Sequence, residues 1–164
     1  MLPTNPLGKH SLFHSLLIYM QFVHSSIINQ ASARTFIYDI SKDSWKEGPG
    51  LNQERLHHDC AALTDNQGRI TAVLVAGGSD PPNGSVKTTE ILQVNEGTWT
   101  YGATFITSVG GGSRVVRSRN KNFMAYVLAG YGSSKIYGLN RTTNAWQVVG
   151  NTKEGHYNFD AVLV

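Results

Sequence analysis

The stretch Val73-Leu74-Val75-Ala76-Gly77-Gly78 runs four apolar residues into a double glycine. A short apolar run that stops at turn-forming residues is typical of a buried β-strand. A weaker copy, Tyr126-Val127-Leu128-Ala129-Gly130-Tyr131-Gly132, occurs later, and 53 residues separate Gly77 from Gly130. The stretch therefore predicts a strand that ends at a glycine turn and that recurs along the chain.

Short segments rich in β-branched and aromatic residues surround this stretch, and turn-forming residues separate them. Beyond the N-terminus, no segment of ten or more residues spaces its apolar residues as a helix would. The sequence therefore predicts an all-β chain. The predicted strands cover residues 35–40, 58–63, 70–76, 89–94, 113–118, 123–129, 135–139 and 156–164, with further short strands at the tryptophans.

The bulk composition fits one globular domain. The chain has 164 residues, of which 40% are hydrophobic and 15% charged, and its formal net charge is +3. Such a mild, scattered positive charge does not predict a nucleic-acid partner. No run reaches the roughly 18 apolar residues that span a bilayer, so no membrane span is predicted.

Residues 1–34 form an N-terminal segment that we interpret separately from 35–164. Leu16 to Val23 is apolar and Ala31-Ser32-Ala33 is small. The segment fits a decayed strand, a weak secretory signal, or a start that is disordered or misassigned in the gene. The compartment follows from this choice: an intracellular location is slightly favoured, and secretion applies if residues 1–33 act as a signal.

The run His57-His58-Asp59-Cys60 looks like a group of metal ligands. In an extended strand, however, His57 and Asp59 would face one way and His58 and Cys60 the other. We therefore predict polar packing, with no metal and no other cofactor. Cys60 is the one cysteine and precedes Ala61-Ala62-Leu63, so we expect a small buried hydrophobic residue.

The tryptophans set a period. Trp45, Trp99 and Trp146 lie 54 and 47 residues apart, and Gly77 and Gly130 follow the first two by 32 and 31 residues. A period near 50 residues with four short strands in each period is the sequence sign of a propeller blade.

These residues resemble the kelch repeat family. The resemblance rests on the strand into Gly77-Gly78, on Tyr38-Asp39 just before Trp45, and on the Gly48-Pro49…Arg55…His58 series. It covers residues 35–164 and implies a kelch-type β-propeller fragment of four-stranded antiparallel blades, with about two full repeats and partial ones at either side. The later repeats depart from the pattern, because Leu92-Gln93 and Leu139-Asn140 replace the tyrosine–aspartate pair.

The repeat residues are predicted to be structural. Glycines let backbones approach closely, a tryptophan fills the space between neighbouring sheets, and a cation such as Arg55 would lie against such a ring. The residues with this predicted role are Tyr38, Asp39, Trp45, Arg55, His58, Gly77, Gly78, Trp99, Gly130 and Trp146.

Propellers close with four to eight blades, so this repeat number predicts an incomplete ring. Such a ring would expose sheet edges and apolar faces. We therefore expect either a fragment of a longer gene product or homo-association through exposed blade edges.

Function is expected on the loops, because binding residues concentrate on loops that a rigid scaffold holds. The predicted partner-binding residues are Asp80, Pro81, Pro82, Asn83, Ser133 and Lys135. The resemblance implies a protein–protein interaction module or scaffold rather than an enzyme. The alternative is a fragment of a propeller enzyme such as a sugar oxidase or isomerase.

One basic group also stands out, namely Arg114, Arg117, Arg119 and Lys121. Its last three members could share a face if the chain is extended there. It is either a solvated strand end and turn or a contact for an acidic partner.

Overall fold

The computed structural model describes residues 30–81, 83–93, 96–107, 109–130, 132–155 and 161, together with the backbone of 16–19. Within these residues the secondary structure is entirely β, with no helix. Three predictions fall wholly or largely outside them: the character of most of residues 1–34, the role of Pro82, and the strand at 156–164. No helix among the described residues is long and apolar enough to cross a membrane.

The first sheet has three antiparallel strands in the order β1-β2-β3. Its strands are β1 (Leu16–Tyr19), β2 (Phe36–Asp39) and β3 (Ser44–Glu47). β1 pairs with β2 from Leu16 opposite Asp39 to Tyr19 opposite Phe36. The alternative roles of residues 1–34 as a whole stay predictions.

The next two sheets each have four antiparallel strands, and a two-stranded hairpin is inserted in the earlier of them. The second sheet consists of β4 (Asp59–Thr64), β5 (Ile70–Ala76), β8 (Glu90–Gln93) and β9 (Trp99–Tyr101), and the hairpin of β6 (Ser79–Asp80) and β7 (Gly84–Ser85). The third sheet consists of β10 (Arg114–Arg117), β11 (Phe123–Leu128), β12 (Lys135–Asn140) and β13 (Trp146–Asn151).

This architecture confirms the predicted fold class. Sheets of four sequential antiparallel strands are the unit of a propeller. The strand predicted at residues 70–76 coincides with β5, and the other predicted strands within the described residues differ from the observed ones by a residue or two at their ends. The hairpin is the exception, because Asp80 and the residues up to Asn83 were predicted to lie on a loop.

From Ala72 to Ala76 β5 is buried on both sides, which explains why this part of its sequence is continuously apolar rather than alternating. Leu74 and Ala76 point into a cluster shared with the third sheet. Val73 and Val75 point the other way, into a cluster with Trp99 and with Leu51 of the linker that precedes β4. The strand thus belongs to two interfaces at once.

The larger of these clusters lies between the second and third sheets. The Phe105 ring stacks on Trp146 with centroids 4.5 Å apart and meets Tyr137 edge-on at 5.4 Å. The fully buried valine and leucine members each contribute about 1.5–3 kcal/mol. The buried members are Leu63, Ala72, Leu74, Ala76, Phe105, Val109, Val115, Ala125, Val127, Ala129, Tyr137, Leu139 and Trp146.

The double glycine that ends β5 has a steric cause. Gly77 and Gly78 have φ angles of +69° and +94°, which side-chain-bearing residues rarely adopt. A Cβ on Gly77 would lie 2.4 Å from Ser113 Oγ, and one on Gly130 would lie 2.5 Å from the Gly111 carbonyl oxygen. Gly77 therefore permits close approach of the end of β5 to the start of the third sheet, and Gly130 permits close approach of the end of β11 to the linker before β10.

The three tryptophans occupy equivalent positions but different environments. Each lies opposite the residue at the same repeat position: Trp45 is opposite Tyr38, Trp99 opposite Leu92, and Trp146 opposite Leu139. Trp99 and Trp146 are 4% and 3% exposed, whereas Trp45 is 53% exposed. Trp45 lies 4.9 Å from the Tyr38 ring, centroid to centroid.

One linker carbonyl joins each pair of successive sheets. The Pro49 carbonyl accepts hydrogen bonds from Thr35 Oγ1 at 2.7 Å and from Trp99 Nε1 at 2.9 Å. The Ala103 carbonyl likewise accepts from Thr89 Oγ1 at 2.7 Å and from Trp146 Nε1 at 3.2 Å. In both cases the threonine belongs to the preceding sheet and the tryptophan to the following one. We call this arrangement the carbonyl clamp.

We expect the two donors of a clamp to be coupled energetically. Thr89→Val should lower the free energy of unfolding by about 1 kcal/mol, because one hydrogen bond is lost while Trp146 still satisfies the Ala103 carbonyl. Adding Trp146→Phe should cost about 1 kcal/mol more than the sum of the single effects, since the partly buried Ala103 carbonyl then loses both donors. Urea unfolding of the four proteins measures this coupling.

Thr143→Val is the matched control, because Thr143 is exposed and its free energy change should stay within about 0.5 kcal/mol. Additive effects of the two clamp substitutions would contradict the shared role of the carbonyl.

Candidate interaction surface

The candidate site lies where β5 ends and β8 begins, and we call this region the hairpin end. The linker before β4 crosses it and pairs on both sides. Arg55 forms a bridge with Ser32, and Leu56 forms one with Ser79 of the hairpin, with N–O distances of 2.8 and 2.9 Å in the second case. The hairpin is therefore an extra pair of strands fixed to the linker through its backbone.

A buried ion pair lies beneath the hairpin. The guanidinium of Arg55 is 2.6 Å from the Glu90 carboxylate, and neither side chain is exposed. Arg55 also donates to the carbonyls of Gly77 at 3.3 Å and Thr88 at 3.1 Å. Arg55 was expected against a tryptophan ring, but these contacts are with a carboxylate and with backbone carbonyls. Burial lowers the pKa of Arg55, and Glu90 opposes that effect.

Glu90 collects further donors from the linker. Its Oε2 accepts from the backbone N–H of Asn52 at 2.6 Å and from Asn52 Nδ2 at 2.9 Å. Its Oε1 accepts from the backbone N–H of Gln53 at 3.1 Å. A buried carboxylate is tolerated when it is paired and hydrogen-bonded in this way. The pair thus fixes the path of the linker over the second sheet.

Two of the predicted binding residues of the hairpin, Asp80 and Asn83, are joined by hydrogen bonds to the linker above the ion pair. Asp80 Oδ2 lies 3.3 Å from both Gln53 Nε2 and Asn83 Nδ2. Gln53 in turn accepts from Thr88 Oγ1 at 2.6 Å. Pro81 and Asn83 are exposed at the tip, and Pro82 lies outside the described residues. The hairpin therefore presents a small polar surface on a fixed support.

The other two predicted binding residues belong to the corresponding loop of the third sheet. Ser133 is half-buried, and its Oγ accepts from the backbone N–H of Lys135 at 3.3 Å. Lys135 is exposed at the start of β12. Within the described part of the chain, no hydrogen bond or ion pair joins these two residues to Asp80 or Asn83. The structure places the two groups on equivalent loops without linking them.

The third sheet repeats the tie between linker and strand with different chemistry. Tyr137 takes the position of Glu90, because each lies two residues before the residue opposite the tryptophan. The Tyr137 hydroxyl hydrogen-bonds Thr107 Oγ1 of the preceding linker at 2.6 Å. A neutral hydroxyl pair replaces the ion pair there.

The run at 57–60 departs from the predicted alternation. His57 has a φ of +54°, and β4 begins only at Asp59, so the chain is not extended through His57. Asp59 accepts from its neighbour Cys60 N–H at 2.8 Å and, across the sheet boundary, from Val115 N–H at 2.9 Å. The described residues contain no group of three or more His, Cys, Asp or Glu side chains arranged to hold a metal ion.

Burial also changes the acid–base properties of this run. It lowers the pKa of His58 to about 4, and the nearby charge of Arg55 acts in the same direction. It raises the pKa of the Cys60 thiol to about 11, with Asp59 adding to the effect. Near neutral pH His58 is thus neutral and Cys60 is a thiol rather than a reactive thiolate.

Three members of the basic group, Arg117, Arg119 and Lys121, lie at the end of the third sheet opposite the hairpin end, whereas Arg114 lies at the start of β10. β10 ends at Arg117, and Ser118 and Asn120 then hydrogen-bond each other in a turn, with Asn120 N donating to Ser118 Oγ at 2.9 Å. The chain is therefore not extended from Arg117 to Lys121, and the shared face that extension would create is not formed. Arg117, Arg119 and Lys121 are exposed.

Glu90, Gln53 and Asn52 were not predicted as members of this site. The kelch resemblance singled out Arg55 without its carboxylate partner. Glu90 is the only charged residue in the predicted strand at 89–94. A lone acid inside a mostly apolar strand, downstream of the arginine in the kelch-like series, was the available signal for the ion pair.

We expect the ion pair to be the strongest single constraint on the hairpin end. Replacing Arg55 by methionine should lower the free energy of unfolding by about 3–5 kcal/mol, because the Glu90 charge is left buried without its cation. Replacing Arg34 by methionine is the control: its pair with Glu47 is more than half exposed and should contribute at most about 1 kcal/mol. Chemical unfolding provides both values, and equal costs would contradict this assignment.

We also expect His58 to make folding stability depend on pH. Its folded pKa of about 4 lies below the ordinary 6.5. Between these values the unfolded chain binds more protons, so stability falls as the pH is lowered from about 6.5 to 4, by about 3 kcal/mol in total. Asp39 and Asp65 have lowered pKa values and act below about pH 4, outside this window.

His58→Gln should flatten the profile in this window while leaving the more acidic limb in place. Unfolding free energies measured at closely spaced pH values test this. A wild-type profile that is flat between pH 6.5 and 4, or one that the substitution leaves unchanged, would contradict it.

Comparison with known proteins gives a fold but no family. No protein-family model and no curated protein matches the chain. The solved structure of YjhT matches with a TM-score of 0.65 at 11% sequence identity, over 85% of this chain and 49% of the YjhT chain. At this identity the likeness concerns the fold alone. This chain spans about half the length of the structure that it matches.

Proposed function

We propose that this chain is part of a kelch-type β-propeller and that it binds a protein partner through the hairpin end. The observation that carries the proposal is the anchored hairpin: Leu56 pairs with Ser79, and the Arg55–Glu90 ion pair fixes the linker beneath it. An exposed tip on such a support binds with little loss of conformational freedom.

The chemistry of the tip also supports protein binding. Asp80 supplies a carboxylate, Asn83 an amide, and Pro81 an exposed ring whose backbone is already restricted. The described residues of the tip offer hydrogen-bonding groups and a small apolar surface. A protein surface or an extended peptide can satisfy both.

We expect that the tip of the hairpin can be replaced without loss of the fold. Replacing residues 80–83 by Gly-Ser-Gly-Ser removes the tip and leaves Arg55, Glu90 and the Leu56–Ser79 bridge in place. We expect the urea midpoint to change little, since loop tips tolerate such changes. Affinity for a partner should fall at least tenfold, because the central residues of an interface dominate its binding energy.

Photo-crosslinking identifies the partner. A photoreactive residue at Asn83 of the full chain should capture a protein that the same residue at Asn66 does not, because Asn66 is equally exposed but lies at the opposite end of β5. The partner's affinity is then measured for the wild type, the Gly-Ser variant and a control with Asn66 and Gln67 replaced by serine. Equal binding by all three would overturn the proposal. Turnover of a sugar by the chain alone, at the same rate in the wild type and in the hairpin variant, would overturn it too.

A further inference from the structure

We propose that two copies of this chain associate head to tail, with the tryptophan face of the first sheet of each copy packed on the outer face of the third sheet of the other. This proposal does not depend on the partner proposed for the hairpin end, because it uses the flat faces of the outer sheets.

The first step is that the internal interfaces follow one rule. In the third sheet the tryptophan and the residue opposite it face the second sheet, and in the second sheet the equivalent pair faces the linker that comes from the first sheet. Trp99 and Leu92 pack with Leu51 of the linker that leaves the first sheet. Trp146 and Leu139 pack with Leu74 of the second sheet. We call this side of a sheet its tryptophan face and the other side its outer face.

The first sheet has the same tryptophan face. Tyr38 lies opposite Trp45 in the register that places Leu92 opposite Trp99 and Leu139 opposite Trp146. Yet Trp45 is 53% exposed, against 4% and 3% for its two equivalents. The adjacent Tyr38 and Trp45 rings, whose planes are tilted by 39°, form a large apolar surface of the kind that dominates protein interfaces.

The outer face of the third sheet matches the surface on which Trp146 already packs. Tyr126 opposite Gly138 corresponds in register to Leu74 opposite Ile91 of the second sheet. Gly138 has no side chain, and the Phe123 ring and Val149 occupy that space: a Cβ on Gly138 would lie 2.7 Å from one and 2.9 Å from the other. Val149 is 39% exposed and Phe123 lies 5.4 Å from Tyr126, so this face is apolar and partly accessible.

The second copy is the occupant that fits both faces at once. The two faces are the two halves of an interface that this chain already makes internally between its second and third sheets. The similar fold of YjhT belongs to a chain about twice as long, since the match covers 49% of it. Two copies therefore supply the length of that chain, and a two-fold arrangement uses each face once per copy and leaves neither exposed.

Sedimentation velocity of the full chain across the micromolar range tests the proposal. The expected species has twice the mass of the chain. Trp45→Glu and Val149→Glu each place a charge in the interface and should weaken association by at least about 30-fold at each contact. Because the closed dimer contains the contact twice, the dimer dissociation constant should rise about 1000-fold. Ile106→Glu is the control, since Ile106 is 76% exposed in the linker before β10 and lies on neither face.

Two spectroscopic measurements distinguish weakened association from misfolding of the variants. Dilution of the wild type should shift the tryptophan emission to longer wavelength as Trp45 becomes hydrated, and Trp45→Phe should abolish that shift while the protein still dimerises. Far-UV circular dichroism of Trp45→Glu and Val149→Glu should match that of the wild type. A monomeric wild type, a dimer that neither charged variant weakens, or assemblies larger than two copies would overturn the proposal.

Discussion

The fold depends on how a backbone carbonyl between two sheets is satisfied. Each linker must leave one sheet and enter the next, and a buried linker carbonyl without a donor would be costly. The Pro49 and Ala103 carbonyls both accept from a threonine hydroxyl of the sheet behind and from an indole N–H of the sheet ahead. The tryptophan is therefore more than an apolar plate, since its N–H fixes the sheet ahead to the linker. Phenylalanine would fill much of the same space without that bond.

The linker continues from this clamp to a second tie, and here the sheets differ. Around Glu90 the tie is ionic, whereas around Tyr137 it is a hydroxyl pair. The ionic version draws the backbone N–H groups of Asn52 and Gln53 toward one carboxylate and so orders the linker closely. That is also the linker that pairs with the inserted hairpin. The sheet whose tie has more hydrogen bonds is thus the one that carries the inserted hairpin, which is why a change beneath the hairpin end should affect the fold more than a change at its tip.

Much of this architecture was predictable because it depends on local signals that repeat. β5 is continuously apolar from Ala72 to Ala76 because both its sides are buried there, and the glycines that follow it are explained by positive φ angles and by crowding against Ser113. The hairpin was not predictable in this way. Its strands have two residues each, too few for a periodic pattern, and they exist because Leu56 offers a backbone edge to Ser79. The ion-pair partner of Arg55 was missed for a similar reason, since pairing between residues 35 positions apart leaves no local pattern.

At residues 57–60 a single backbone angle explains why the predicted alternation of side chains fails. Alternation along an extended chain assigned His57 and Asp59 to one side. The left-handed conformation of His57 breaks that alternation just before β4 begins. The carboxylate of Asp59 then accepts the Val115 N–H and so joins the first strands of the second and third sheets. An acidic residue that resembled a metal ligand in sequence thus accepts a backbone hydrogen bond where two sheets meet, as a carbonyl would within a sheet. Side chains that replace backbone acceptors recur at the boundaries of these sheets, at Asp59 and at Glu90, because strands in different sheets have no ladder to share.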